Sequence, residues 1–249
     1  MKPVLRTIVL LGVICLPLQV FCTDYKASMF GIKSNGTTLN TRAIQKAIDY
    51  ISEQGGGRLV FYVGRYLTGS IQLKSNVSLK LMEGAILVGS TSIYDYMVDG
   101  KPRALVFAKH ENNIGISGKG VIEGNGKDLI KNLFAQKKQG LIDQARSSQP
   151  ALLHFDSCEA VQVDSVQLWK AAGAVQIYRQ CQNISIDRVG VKSIDDQLNT
   201  GAILEKCSNI LIKNTYVETI GKSLVDGGQN ENILIENSID AKGTPLHLQ

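Results

Sequence analysis

The chain has 249 residues, 44% of them hydrophobic and 6% aromatic, with a formal charge of +5 at pH 7. Lys and Arg are scattered, with no dense patch and no interleaved aromatics, which argues against a nucleic-acid partner. The positive excess suits an acidic polymer without requiring one. Five cysteines make no disulfide framework at this size, and the length fits one large domain or one long solenoid.

Lys2 and Arg6 precede an apolar run, Thr7 to Phe21, that exits near Cys22. This pattern predicts a secretory signal peptide over residues 1–22, leaving 23–249 as one exported domain. A lipid-modified Cys22 is the alternative, disfavoured by the bulky Phe21 before it. No later stretch reaches the roughly 20 apolar residues of a membrane helix. Next, Asn40-Thr41 predicts a helix start, and Ala43, Ile44, Ala47, Ile48 and Ile51 form one apolar stripe. Gly55-Gly56-Gly57 stops the helix. Leu59-Val60-Phe61 then opens the strand-forming part of the chain.

One short phrase recurs after that point: a small or polar residue, then two apolar residues separated by one position. It stands at Asn76–Leu79, Asn113–Ile116, Ala160–Val163, Asn183–Ile186, Asn209–Ile212 and Asn232–Ile235. The last four begin 23, 26 and 23 residues apart; the earlier gaps are 37 and 47, the second close to two periods. Each phrase alternates like a strand with one buried face. Strands this short must stack on copies of themselves to bury it. A period near 23 suits a coil of three short strands, and stacked coils make a parallel β-helix with about 4.8 Å between coils. The capping helix then covers the first coil and shields its open strand edge.

Cys158, Cys181 and Cys207 sit two positions before their phrases, so stacking predicts an internal column of small apolar side chains. The asparagines predict an amide ladder. Between Gly126 and Ser148 the strand pattern lapses. Asp128 to Ala145, with Leu129, Ile130, Leu133, Phe134, Leu141 and Ile142, predicts a helical excursion along one flank that borders a groove or shields the coil. Trp169, the sole tryptophan, reads as a packing residue at a coil edge. At the other end, Leu246-His247-Leu248-Gln249 looks like an unfinished coil, and His247 reads as a surface residue.

Several runs resemble glycoside hydrolase family 28, the polygalacturonases. They are Phe30 to Thr41, the helix with Gly55-Gly56-Gly57, Gly64 to Val77 with Glu83-Gly84-Ala85, and Gly118 to Gly126, in the family's order. The resemblance implies an all-β fold, a right-handed single-stranded parallel β-helix with an N-terminal capping helix and one helical insertion. It also implies hydrolysis of galacturonan with inversion at the sugar, without a cofactor or metal. That chemistry needs two carboxyl groups about 6.5–9.5 Å apart, one to protonate the leaving oxygen and one to activate water.

The family draws its acids from an Asn-Thr-Asp-Gly segment and a Gly-Asp-Asp segment one coil later. The corresponding places here read Leu198-Asn199-Thr200-Gly201 and Ile220-Gly221-Lys222-Ser223. Thr200 occupies the first Asp position, and Gly221-Lys222 or Lys222-Ser223 the Asp pair. No catalytic residue matches the family motif. General acid–base groups each contribute about 10²–10⁴-fold, so their loss predicts little turnover. The family's later Gly-His-Gly and Arg-Ile-Lys segments have no counterpart before Gln249.

Fallback acids are Asp195 and Asp196, which border the groove, and Asp226; Glu205 and Glu218 read as structural or flanking. Asn199, Thr200 and Lys222 are the candidate substrate-holding residues. Three functions stay open: a hydrolase with relocated acids, a non-catalytic binder of acidic, pectic polysaccharide, and a structural solenoid of the adhesin kind. A monomer is expected.

Overall fold

The computed structural model describes residues 23–98, 101–102, 104–142, 149–195 and 199–249. The expected leader over residues 1–22 lies outside these, as does Asp196. Among the described residues, three parallel sheets wind around one core, with strands contributed in rotation. The first sheet holds eight strands, from Asp24–Lys26 through Gly57–Phe61 to Glu231–Glu236. The second holds seven, from Gly64–Thr68 to Ile239–Asp240, and the third six, from Ile71–Gln72 to Leu224–Asp226. The short Asp24–Lys26 strand, which the sequence pattern does not announce, pairs with Arg58 to Val60 ahead of the first full coil.

All six recurrent phrases lie on the first sheet in consecutive register. Leu79 pairs with Ile116, Ile116 with Val163, Val163 with Ile186, Ile186 with Ile212 and Ile212 with Ile235. The 37- and 47-residue gaps are therefore single enlarged coils, which corrects the reading of the second as nearly two periods. One coil is lengthened by a short 3-10 turn, Ile93–Tyr96, and an antiparallel pair, Met97–Val98 with Lys101–Pro102. The next is lengthened by the helical insertion.

Alternation sends every second side chain inward. Leu87, Ile122, Leu168, Val191 and Val217 form one buried column on the second sheet. Phe155 and Tyr178 stack beneath the third, ring centroids 5.5 Å apart. Each such side chain contributes roughly 1.5–3 kcal/mol on burial.

The first helix, α1, runs Thr41–Glu53 and buries Ile44, Ala47, Ile48 and Ile51 over the opening coil, as the stripe predicts. Asn40 stands at its N-cap but makes no side-chain cap hydrogen bond. Its Oδ1 accepts from Lys33 N, and its Nδ2 donates to the Lys33, Thr38 and Leu67 carbonyls, so it ties the incoming strand segment to the coil. The insertion helix, α2, is shorter than expected, Gly126–Lys138. It buries Leu129, Ile130 and Leu133, whereas Phe134 and Leu141 face outward. Gly140 adopts φ of 72°, which ends the helical path.

The three corners between sheets differ. From the third sheet to the first, two residues suffice in four coils: 110–111, 157–158, 180–181 and 206–207. Their first members, His110, Ser157, Gln180 and Lys206, all have φ between 51° and 57°. Cys158, Cys181 and Cys207 are the second members, buried in the predicted column. The Cys181 thiol donates to the carbonyls of Phe155 and Arg179, and that of Cys207 to Tyr178 and Glu205. Hydrogen bonding to the Cys158 and Cys207 sulfurs, together with burial, pushes the Cys181 thiol far up.

The amide ladder follows at the next strand. Asn113 Nδ2 donates to Asn76 Oδ1, Asn209 to Asn183 and Asn232 to Asn209, at 2.9–3.1 Å. Ala160 interrupts it, although it takes the same left-handed backbone (φ 53°). From the second sheet to the third, by contrast, the corners run to 16, 29, 6, 8 and 4 residues after the first coil.

Candidate functional site

The long corners carry the residues singled out by the sequence. Gly201 N donates to the Lys222 carbonyl at 2.9 Å and Gly221 N to that of Asn199 at 3.0 Å. Ala202 pairs with Leu224, so counting back two positions sets Thr200 against Lys222 on the next coil. Lys222, which belongs to both segments that could stand for the Asp pair, is thus the residue in register with Thr200. Thr200 is half-buried and its carbonyl accepts from Val175 N at 2.8 Å, while the Lys222 side chain is exposed. A threonine and a lysine thus occupy adjacent positions on successive coils at this corner.

Asn199, unlike Lys222, is buried. It is 2% exposed, and its Nδ2 donates to the Ala171 carbonyl at 2.7 Å and to Ser193 Oγ at 2.5 Å. Ser193 Oγ in turn accepts from Ala171 N. These bonds lock two successive corners together, so Asn199 holds the scaffold on which Thr200 sits.

Three of the carboxylates nearby, Asp226, Glu205 and Glu218, are engaged. Asp226 ends its strand at the opposite, Cys-bearing corner; it accepts from Gly228 N at 2.8 Å and Asn230 Nδ2 at 2.7 Å, pinning a turn. Four residues beyond Lys222, it lies roughly 13 Å away at the rise of an extended chain. Glu205 projects outward and pairs with Arg179 at 2.9 Å, and Glu218 pairs with Lys192 at 3.5 Å. Asp195 follows the strand Gly190–Ser193, at a different corner from Asp226, so the two are not brought together. Asp196, the other fallback acid, is outside the described residues.

The outer face of the second sheet, beside the long corners, holds a group the sequence reading did not single out. Glu123, Trp169, Lys192 and Glu218 follow one another in register on successive coils. Their neighbours Ile122, Leu168, Val191 and Val217 point inward, so these four point out. Trp169, expected to pack at a coil edge, therefore stands half-buried on the outer face. Glu123 is only 6% exposed, held by Lys170 Nζ at 3.2 Å and Arg65 at 3.5 Å. The partners are 47 and 58 residues away in sequence, and only the coil register brings them together.

The comparisons agree with this architecture. Residues 59–243 match the family model described as glycosyl hydrolases family 28. An exo-poly-alpha-D-galacturonosidase of Dickeya chrysanthemi is 30% identical over 243 residues, covering 85% of this chain and 39% of the relative. The chain spans about two-fifths of the length of the curated relatives it matches. Among solved structures, a candidate glycosyl hydrolase from Parabacteroides merdae is 41% identical with a TM-score of 0.85, over 90% of this chain and 99% of its own. The family 28 exopolygalacturonase of Yersinia enterocolitica superposes with a TM-score of 0.79 at 22% identity, over 88% of this chain and 49% of its own, a likeness of fold. With the register, the capping helix and the family model in agreement, the chain is a right-handed parallel β-helix that belongs to glycosyl hydrolases family 28.

Proposed function

We propose that this chain is an exported, polygalacturonase-type protein that engages acidic, pectic polysaccharide along the outer face of the second sheet, and that on its own it does not cleave the polymer by the two-carboxylate route. The observation that carries this reading is Thr200 set against Lys222. Inversion needs a proton donor and a base on opposite sides of the bond. A threonine hydroxyl is too weak an acid for the first task, and a lysine ammonium has no lone pair for the second. Supporting it, Glu205, Glu218 and Asp226 are tied to Arg179, to Lys192 and to a turn. A cation in place of an anion still attracts a polyuronate, which keeps binding while removing turnover.

The test is reducing-sugar release from polygalacturonate, run beside calorimetric titration with oligogalacturonate. Binding without sugar release is expected; turnover at a rate ordinary for a glycosidase overturns the non-cleaving part, and the absence of binding overturns the rest.

A further inference from the structure

Trp169 is the sole tryptophan of the chain. It ends the strand Gln167–Trp169, where the inward Leu168 fixes the indole on the outer face. With Lys170, Lys192, Ile194 and Asp195 it lines a cavity of about 270 Å³, room for one sugar ring. We propose that this cavity holds one uronate unit of the acidic polysaccharide. The ring's C–H face lies on Trp169, its carboxylate meets Lys192 with Lys170 adding positive charge to the rim, and its hydroxyls reach Asp195. This rests on the groove reading above and adds the residues that anchor the chain.

The chemistry follows from the lining. An indole face carries the negative side of its quadrupole, so it accepts the apolar face of a sugar and repels a carboxylate. The carboxylate is therefore steered off the indole face toward an ammonium group, with Lys170 turned to Glu123 on the preceding coil and Lys192 turned to Glu218 on the following one. Lys170 and Lys192 are 49% and 58% exposed and each is engaged by one glutamate, Glu123 at 3.2 Å and Glu218 at 3.5 Å. An ammonium has three donors, so N–H groups remain on both for a ligand. The glutamates fix where these cations point. Asp195, an acceptor only, suits hydroxyls and excludes a second carboxylate.

Because no other tryptophan exists, indole emission reports on this cavity directly. Titrating the full chain with trigalacturonate, with calorimetry in parallel, is expected to give a saturable emission change whose midpoint matches the calorimetric one. Lys192→Gln and Trp169→Phe, both checked for an unchanged melting profile, are each expected to weaken binding about tenfold, the scale of one lost charge-assisted hydrogen bond or stacking contact. The neutral galactose trimer is expected to leave emission unchanged. Calorimetric binding with no emission change, or with full affinity in both variants, overturns the pocket and leaves the groove reading standing. No calorimetric binding overturns both.

Discussion

Two corners of the same coil behave in opposite ways. The Cys-bearing corner is built from two residues in four coils, repeats its backbone angles within a few degrees and buries Cys158, Cys181 and Cys207 in a line. The corner between the second and third sheets repeats nothing; its lengths vary several-fold and it carries Lys170, Asp195, Thr200 and Lys222. Repetition marks positions that must satisfy the next coil. A corner released from repetition is free to present chemistry, because loops on a rigid scaffold carry function at little cost to the scaffold.

The sharpest way to break this contrast is to disturb the strand feeding the regular corner. Tyr178 is fully buried, lies against Phe155 and offers its carbonyl to the Cys207 thiol. Tyr178→Ala is expected to cost about 3–5 kcal/mol, a fall in melting temperature on the order of 10 °C. A fall of a degree or less would mean that the column carries little of the fold's stability.

Next in size are the ladder variants. Asn209→Ala removes two rungs and a residue suited to the left-handed backbone, and is expected to cost about 1–2 kcal/mol. Ala160→Asn completes the ladder and is expected to stabilise by about 1 kcal/mol. Denaturant unfolding of the two, with opposite signs, checks the pair.

A smaller effect concerns acid. Burial works against ionisation of Asp187, but the Asn214 amide, Arg188 and Lys213 outweigh it and hold its carboxyl below the usual range. The native state therefore keeps Asp187 ionised more readily than the unfolded chain does. The stability it adds is present above about pH 4 and is lost as pH falls through the lowered folded value. Asp187→Asn is expected to flatten the melting-temperature profile below pH 4; an unchanged acid limb would rule this carboxylate out as a contributor.

The smallest stability effects belong to the variable corner. Thr200→Ala and Lys222→Ala are expected to shift stability by less than about 0.5 kcal/mol, while Lys222→Glu lowers affinity for oligogalacturonate in calorimetry. A large loss of stability from either alanine variant would erase the difference between the corners.

The regular parts of the molecule were legible because period-2 phrases and constant corners leave a sequence trace. The capping helix follows from its apolar stripe and the Cys column and Asn ladder from spacing, whereas Thr200 and Lys222 came to notice through the family resemblance laid over that spacing. Insertion size was not legible. A 47-residue gap reads as two coils until Ile116 is seen to pair directly with Val163. The Glu123–Trp169–Lys192 row stayed hidden for a related reason. Its members share no motif, and each occupies an ordinary outward position on a strand of three or four residues. The burial of Asn199 was not legible either, because a polar residue within a known motif looks available to a ligand, whereas its amide N–H groups go to Ala171 and Ser193.

The two-residue corners also set how the gene can change length. Adding one residue to a strand beside Cys181 or Cys207 would flip every following side chain between core and solvent. Extra residues after Ser193 or Thr219 meet only loop-closure entropy, about 0.6 kcal/mol for each doubling. Tolerance of insertions and deletions is thus polarised around the coil's circumference.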